Sequence, residues 1–285
     1  MSRPLRVLPL HVLGTDVDVH IGGHDPDLLE SALRERWHLC LREPAPAGSA
    51  PPQERPAPKV VEAGLRAPEG DAPADPWSRE ATVVRDEDLR VLLQRLTQSV
   101  THAVISARTG DLLMLHSAGL AHPVTGATAV FVAPGNTGKT TLVRTLGPSR
   151  CYVSDETVGI HRDGTVEVYP KPLSVRRPDW VGVKDETAPG DVGLRTPTVT
   201  PWLAGIVLLR REEDHEGAPL VEDLDVLDAV MALTPESSGF MRTEAPLRWL
   251  ASVLERTGGA RRVTYSEVAD LEPLAAEICG RPSPW

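Results

Sequence analysis

The segment from Ala133 to Thr140 combines residue types that bind phosphate groups. Phosphate-binding loops of this kind have the pattern Gly, four free positions, Gly, Lys and Ser or Thr, between a strand and a helix. Gly135 and Gly138 let backbone N–H groups turn toward phosphates, and Lys139 can reach the β- and γ-phosphates. The hydroxyl of Thr140 can bind Mg²⁺, whereas Ala133 replaces the first Gly. We therefore predict a nucleoside triphosphate site here.

The residues around this segment predict the strand and the helix that such a loop requires. A hairpin is predicted from residues 112–121 and 127–132, and a helix from residues 139–146. The positive N-terminal end of that helix points at the same phosphates. The predicted nucleotide-binding residues are Gly135, Asn136, Thr137, Gly138, Lys139, Thr140 and Thr141. The alternative is a strand, turn and helix with an accidental Lys.

Two acidic residues, Asp155 and Glu156, follow a short apolar strand at residues 151–153. They come 16 residues after Lys139 (155 minus 139), an interval that holds one helix and one strand. A hydroxyl that attacks the γ-phosphate needs a carboxylate to accept its proton, and Mg²⁺ needs a further ligand. Asp155 and Glu156 can divide these two tasks. The alternative is an acidic strand end in a solvated turn.

His116 lies in the apolar strand that leads toward the loop. A lone His in such a strand is more often a hydrogen-bonded core residue than a ligand. The alternative is that its ring contacts the phosphates or the substrate, and the sequence leaves both readings open.

Composition and charge narrow the classes of partner. The formal net charge is −10, and Lys and Arg form no run longer than a pair, which argues against nucleic acid. No stretch approaches the roughly 18 apolar residues of a membrane span, and the first residues are too broken for a signal peptide. Cys40, Cys151 and Cys279 have no zinc-ligand spacing and are interpreted as buried small hydrophobes. A cytoplasmic protein is expected.

The sequence predicts three segments along the chain. Residues 1–42 are predicted to form a small α+β piece, and residues 81–285 the phosphate-loop domain. Residues 43–80 contain nine prolines between Pro44 and Pro76, which predicts a Pro/Ala-rich linker or floppy loop. The alternative is an ordered insertion in which Val60 and Val61 form a strand.

Several of these motifs together resemble the HPr kinase/phosphorylase-like family, which includes small kinases of modified-peptide pathways. The resemblance covers about residues 112–173 and includes the sequence LHSAGLA at 115–121, GKT at 138–140 and YVSDE at 152–156. Ala133 departs from the family pattern, as does Glu156, where HPr kinases have a second Asp. The glycine-rich, arginine-containing segment that those kinases carry after the acidic pair is also missing.

The resemblance implies an α/β fold with a P-loop core of the phosphoenolpyruvate-carboxykinase/HPr-kinase type, ATP and Mg²⁺ as cofactors, and transfer of the γ-phosphate to a serine hydroxyl. It implies that the catalytic residues are Asp155, His116 and Lys139, and that the metal-binding residues are Thr140, Glu156 and Asp155. Arg176, Arg177 and Arg195 are candidates for further positive charge at the site. Homo-oligomers are common in the family.

Three functions remain open at this point. The first is an ATP-dependent serine kinase for a peptide or protein acceptor. The second is a kinase for a small hydroxylated metabolite such as free serine. The third is a nucleotide-binding regulatory protein without phosphotransfer, which the replacements at Ala133 and Glu156 keep open.

Overall fold

The computed structural model describes residues 6–42, 56–67, 82–135 and 137–285. The chain is a mixed α/β protein whose strands form several sheets. It divides into two compact units. The first unit contains Met1–Ala107 and Lys171–Ala188, and the second contains Arg108–Pro170 and Pro189–Trp285.

The first unit contains six strands and two α-helices in its described part. The strands are β1 (Arg6–Val12), β2 (Thr15–Gly23), β3 (Lys59–Leu65), β4 (Thr82–Asp86), β10 (Leu173–Arg176) and β11 (Lys184–Thr187). The helices are α1 (Pro26–Arg36) and α2 (Leu89–Arg108). The last residue of α2, Arg108, belongs to the second unit.

A four-stranded sheet in the order β1-β2-β3-β4 is the centre of the first unit. β1 and β2 are antiparallel, whereas β3 is parallel to β2 and β4 is parallel to β3. β10 and β11 form a separate antiparallel pair. Helix α1 begins at Pro26, because the side chain of Asp25 accepts a hydrogen bond from the N–H of Leu28 and Pro26 opens the first turn.

Within the predicted linker over residues 43–80, the described middle part follows the alternative of an ordered insertion, with Val60 and Val61 in a strand. Residues 59–65 form β3, an inner strand with β2 on one side and β4 on the other. Val61, Ala63 and Leu65 are buried there, so this short run does bury apolar surface once two neighbouring strands cover it. Residues 43–55 and 68–80 of the predicted linker lie outside the described residues.

The second unit contains the remaining strands and helices. The strands are β5 (Leu113–Ala121), β6 (Ala127–Val132), β7 (Cys151–Ser154), β8 (Thr157–Ile160), β9 (Val166–Glu167), β12 (Trp202–Arg211), β13 (Leu220–Leu224), β14 (Ser237–Ser238) and β15 (Ala260–Tyr265). The helices are α3 (Lys139–Leu146), α4 (Val226–Leu233), α5 (Pro246–Thr257) and α6 (Glu272–Cys279).

These strands form a nine-stranded sheet. Its main order is β13-β15-β12-β6-β5-β8-β9, and β7 and β14 both pair with β5. β6 is parallel to β12 and antiparallel to β5, so it is a central strand with neighbours on both sides. All six residues of β6 are buried. The sheet therefore holds the start of the predicted phosphate loop rigidly.

The division into units differs from the predicted domain boundary at residue 81. β4 and almost all of α2 belong to the first unit, although the sequence assigned them to the phosphate-loop domain. Residues 171–188 also belong to the first unit, because the chain returns there to form β10 and β11. Such a return depends on pairing between distant segments, which the composition of a linear segment does not encode.

All three cysteines are buried and free, as predicted. Burial raises the pKa of the Cys40 thiol far above its ordinary value, and it also raises that of Cys279. Thiols held neutral in this way behave as small apolar side chains. Among the described residues, no helix is both long and apolar enough to cross a membrane.

Candidate phosphate-binding site

The predicted phosphate loop lies between a strand and a helix, as the sequence predicts. β6 ends at Val132 and α3 begins at Lys139, so both predicted bounds are confirmed. Gly138 caps the helix with a φ of 95°, a left-handed conformation that favours glycine. A Cβ added at Gly135 or Gly138 would meet no atom within 4 Å, which leaves open space beside the loop.

Ala133 does not distort this loop. Among the described residues, the only non-glycine residues with positive φ are Leu13 and Ala245, so Ala133 adopts an ordinary backbone conformation. Its side chain is buried, and its N–H donates to the carbonyl of His116 at 3.4 Å. The first Gly of the motif is therefore dispensable for the backbone in this chain. Asn136 lies outside the described residues.

The side chain of Lys139 folds back over the loop. Its Nζ donates to the carbonyl oxygens of Ala133 at 2.5 Å and of Pro134 at 2.9 Å. Lys139 is only 6% exposed, although an ammonium group is costly to bury without partners. The loop carbonyls provide those partners and hold the positive charge against the loop. Thr141, the next predicted residue after Thr140, is exposed on the first turn of α3.

Asp155 connects the start of α3 with the strand β7. Its Oδ2 accepts from the hydroxyl of Thr140 at 2.7 Å, and its Oδ1 accepts from the hydroxyl of Tyr152 at 2.9 Å. Asp155 is 5% exposed and Tyr152 is fully buried. Two hydroxyl groups thus hold the carboxylate of Asp155 in place, and one of them belongs to Thr140, the residue after Lys139. This contact agrees with the prediction that the acidic pair lies near the loop.

Glu156 lies at the turn between β7 and β8. Ser154 fixes this turn, because its Oγ accepts from the N–H groups of Glu156 at 3.2 Å and Thr157 at 3.1 Å. The carbonyl of Glu156 accepts from the N–H of Ser117, the residue after His116. Glu156 itself is half-buried. Asp155 and Glu156 are adjacent in sequence but differ in setting, since only Asp155 is held by Thr140.

His116 forms a side-chain pair that the sequence did not indicate. Its Nδ1 lies 3.2 Å from Oε2 of Glu236, and the His116 side chain is 36% exposed. Burial lowers the pKa of His116, and the positive charge of Lys139 lowers it further. The hydrogen bond with Glu236 and the charges of Glu236 and Glu156 oppose that shift. His116 is therefore under the opposing electrostatic influence of Lys139 and of the two acids Glu236 and Glu156.

Glu236 is a candidate site residue that sequence reasoning missed. It ends a short 3-10 turn, Thr234–Glu236, directly before β14. β14 pairs with β5 so that Ser237 lies opposite Leu115, which brings Glu236 beside His116. The two residues are 120 positions apart, and no motif surrounds Glu236. Its place beside His116 follows only from the pairing of the two-residue strand β14 with β5.

The three candidate arginines have different settings. Arg177 is paired with Asp185, at 2.6 Å from its Nη2 and 2.9 Å from its Nε, and Arg176 is exposed at the end of β10; both lie in the first unit. Arg195 lies in the second unit, where its carbonyl accepts from the N–H of Tyr152 at 2.7 Å. Its main chain thus supports the strand that carries Asp155.

The donor set suits Mg²⁺ held partly by phosphate oxygens. A hydroxyl and a carboxylate, from Thr140 and Asp155, lie in direct contact. In the described part of the chain, no group of three or more His, Cys, Asp or Glu side chains could hold a metal ion alone. Mg²⁺ typically takes one or two protein oxygens and completes its shell with phosphates and water. The residues present fit that kind of metal and nucleotide.

Comparisons with known proteins give little further information. No protein-family model matches the sequence, and no curated protein matches it. One similar solved structure is the Hpr(Ser) kinase/phosphatase from Coxiella burnetii, with 11% sequence identity, a TM-score of 0.30, and coverage of 58% of this chain and 92% of that chain. A likeness of that size carries no argument about fold or function.

Proposed function

We propose that the chain is an ATP- and Mg²⁺-dependent kinase that transfers the γ-phosphate to a serine hydroxyl of a peptide or protein. We further propose that its second unit is a P-loop core of the phosphoenolpyruvate-carboxykinase/HPr-kinase type. The contact between Thr140 and Asp155 carries this proposal. A threonine directly after the loop Lys and an acid from a neighbouring strand are the pair that holds Mg²⁺ in P-loop enzymes.

The loop provides the groups that would bind the nucleotide. The space beside Gly135 and Gly138 is open to a ligand, and the N-terminal end of α3 adds partial positive charge there. Lys139 would exchange its contacts with the loop carbonyls for phosphate oxygens. Thr140 and Asp155 would hold the metal, with Glu156 as a further acid at its edge. An acidic chain requires such a local site, because its net charge of −10 repels nucleotides at long range.

The reaction requires the chain to bind charge and to accept one proton. Bound ATP would supply the phosphoryl group, and Mg²⁺ would neutralise part of its charge. Lys139 would stabilise the charge on the phosphate oxygens. Asp155 would accept the proton of the attacking hydroxyl, since its carboxylate is oriented by Tyr152 as well as by Thr140. His116, kept neutral by burial and by Lys139, would act as a hydrogen-bonding group near the phosphates.

Two matched variants of helix α3 test the role of the contact between Thr140 and Asp155. We expect Thr140→Ala to weaken Mg-ATP binding and phosphate transfer by about 100-fold, because it removes the metal-binding hydroxyl and the partner of Asp155. Thr145→Ala is the control, since Thr145 is an exposed threonine of the same helix. Binding is measured by calorimetry. Transfer from labelled ATP is measured with free serine, HPr and serine-bearing peptides as acceptors.

The acceptor panel separates the remaining functions. Transfer to peptides or HPr that needs Lys139 supports the proposal, and transfer to free serine alone replaces it with a metabolite kinase. Lys139-dependent binding without transfer to any acceptor replaces it with a regulatory nucleotide-binding protein. Equal Mg-ATP binding by wild type and Lys139→Ala, with unchanged melting temperatures, would contradict the nucleotide site itself.

A further inference from the structure

The first unit has an open sheet edge at β4. β4 pairs with β3 on one side, and no other strand of the described residues pairs with it on the other. Thr82 and Val83 are exposed, whereas Val84 is buried. An exposed strand edge is a template for pairing with another extended chain. In the described part of the chain, a groove lies alongside this edge.

The groove is formed by β4 and one face of α2. It has a volume of about 430 Å³, and Thr82, Val83 and Val84 line it on the strand side. Arg95, Ser99 and His102 are among its residues on the helix side. The helix lining continues to Ser106, which is 11 positions after Arg95, so it spans roughly 16 Å at a rise of 1.5 Å per residue. About five residues of an extended chain, at 3.3 Å each, have that length.

Some of the backbone N–H and C=O groups of β4 point toward this open edge. The carbonyl of Asp86 accepts from the N–H of Arg66, which directly follows β3. Because backbone groups alternate sides along a parallel strand, those of Val84 face β3 and those of Val83 and Arg85 face the open edge. The carbonyl of Arg85 accepts from the guanidinium of Arg95, which agrees with this alternation. The N–H of Val83 therefore faces the open edge.

Basic side chains line one end of the open edge. A second groove of about 390 Å³ shares Val83 and Arg95 with the first and is also lined by Arg66 and Arg85. Asp86 also lines it, but its carboxylate is paired with Arg95 at 3.1 Å. Because Arg95 and Asp86 neutralise each other, the described lining leaves Arg66 and Arg85 beside the single acid Glu87, on a chain whose net charge is −10. This end of the groove thus favours a negatively charged partner.

We propose that the open edge of β4, with the α2 face beside it, binds an extended acidic peptide segment as an added strand. Such a segment would form main-chain hydrogen bonds with Val83 and place carboxylates near Arg66 and Arg85. The groove is long enough for about five extended residues, which agrees with a peptide strand rather than a compact ligand. The binding does not depend on phosphotransfer, so it can hold even if the proposed kinase function fails.

Amide NMR titration with three synthetic ten-residue peptides tests the proposal. The first alternates Thr and Glu, the second alternates Thr and Lys, and the third is the first with N-methyl groups on alternate amides. We expect the acidic peptide to bind, with shifts of the Val83 and Arg85 amides and slower hydrogen exchange at Val83. The basic and the N-methylated peptides should bind at least about 10-fold more weakly, because they lack charge complementarity or strand pairing.

Protein variants locate the contact on β4. Val83→Pro removes the edge-facing N–H and is tolerated on an edge strand, so it should weaken binding about 10-fold while Val83→Thr stays within about twofold. Arg66→Glu should weaken binding several-fold, and Arg248→Glu, an exposed arginine of α5 in the other unit, should not. Should Val83→Pro fail to fold, the N-methylated peptide still tests strand pairing on the unchanged protein.

Two results would overturn the proposal. One is equal binding of the acidic, basic and N-methylated peptides, or shifts that lie away from β4 and α2. The other is a concentration-dependent dimer, seen by sedimentation, that Val83→Pro dissociates, because the occupant of the edge would then be a second copy of this chain.

Discussion

Asp155 and His116 were both predicted as catalytic residues, and the structure holds them in different ways. Asp155 is 5% exposed, and the hydroxyl groups that donate to it, of Tyr152 and Thr140, lie 3 and 15 positions away. The His116 side chain is 36% exposed, and its partner Glu236 lies 120 positions away. One residue belongs to a buried network of nearby sequence, whereas the other depends on a distant, partly solvated turn.

The hydrogen bonds of Asp155 and the pair of His116 with Glu236 depend on different parts of the fold. The side chains of the Thr140–Asp155–Tyr152 network all lie within one short segment of the sequence that contains α3 and β7. The His116–Glu236 pair needs β14 to reach β5. Under the proposed function, the local network would bind the metal and the phosphates, and the distant pair would tune the charge beside them. Variants in the two regions should therefore differ in the size and in the kind of their effects.

The largest expected effect comes from Asp155→Asn. This change keeps the size of the side chain but removes the charge that would bind metal and accept a proton, so phosphate transfer should fall by about 100-fold or more. It should also destabilise the fold by about 1–3 kcal/mol, because the hydroxyls of Thr140 and Tyr152 lose a charged acceptor. Labelled-ATP transfer and urea unfolding measure the two effects.

Asp163→Asn is the matched control for that change. Asp163 accepts from the N–H of Thr165 at 2.9 Å in an exposed turn of the same unit, and this contact holds the pKa of its carboxyl below the ordinary value. Transfer by Asp163→Asn should stay within about twofold of wild type. Equal losses in the two variants would show that Asp155 has no special place in the reaction.

An intermediate effect is expected on the titration of His116. Lys139→Met removes a positive charge that lowers the His116 pKa, so the pKa should rise toward its ordinary value. Glu236→Gln removes a negative charge that raises it, so the pKa should fall further. The measurement is an NMR titration of the His116 ring protons without nucleotide or metal. Shifts of the same sign in both variants would contradict the pairing of charges described here.

The lowered pKa of His116 also predicts how the stability of the fold depends on pH. Because the folded state holds the pKa of His116 below the unfolded value, the unfolded chain binds more protons between the two values. The contribution of His116 to stability is therefore present above the unfolded pKa of about 6.5 and is lost as pH falls through the folded pKa. In Glu236→Gln the loss should extend to lower pH, and in His116→Gln it should disappear from the unfolding curves.

The sequence predicts the local region well and the distant one poorly. The bounds of β6 and α3 follow from an apolar run, a glycine and a Lys-Thr pair, and these local signals are decisive because the loop is short. Glu236 has no such signal, since a two-residue strand carries neither periodicity nor a turn motif. The sequence offers β3 only as the alternative to a linker, because the prolines around it indicate a linker and the two strands that pair with it are not visible in its own sequence.

The smallest expected effect contrasts two buried tyrosines of the second unit. The hydroxyl of Tyr152 donates to Asp155 at 2.9 Å, whereas that of Tyr265 has no hydrogen-bond partner among the described residues. Burial also raises the pKa of Tyr265, as expected for a phenol in an apolar setting. Removing a bonded hydroxyl costs stability, but removing one that is buried without a partner relieves a desolvation cost.

Tyr152→Phe should therefore lower the free energy of unfolding by about 1–2 kcal/mol, and Tyr265→Phe should leave it unchanged or raise it by up to about 1 kcal/mol. Phosphate transfer by Tyr152→Phe should fall by no more than about threefold, because Thr140 still orients Asp155. Urea unfolding of both variants in one buffer gives the comparison. A loss of transfer in Tyr152→Phe as large as that in Asp155→Asn would contradict this expectation. It would mean that Tyr152, and not Thr140, orients the carboxylate of Asp155. The Thr140–Asp155 contact would then no longer support the proposed function.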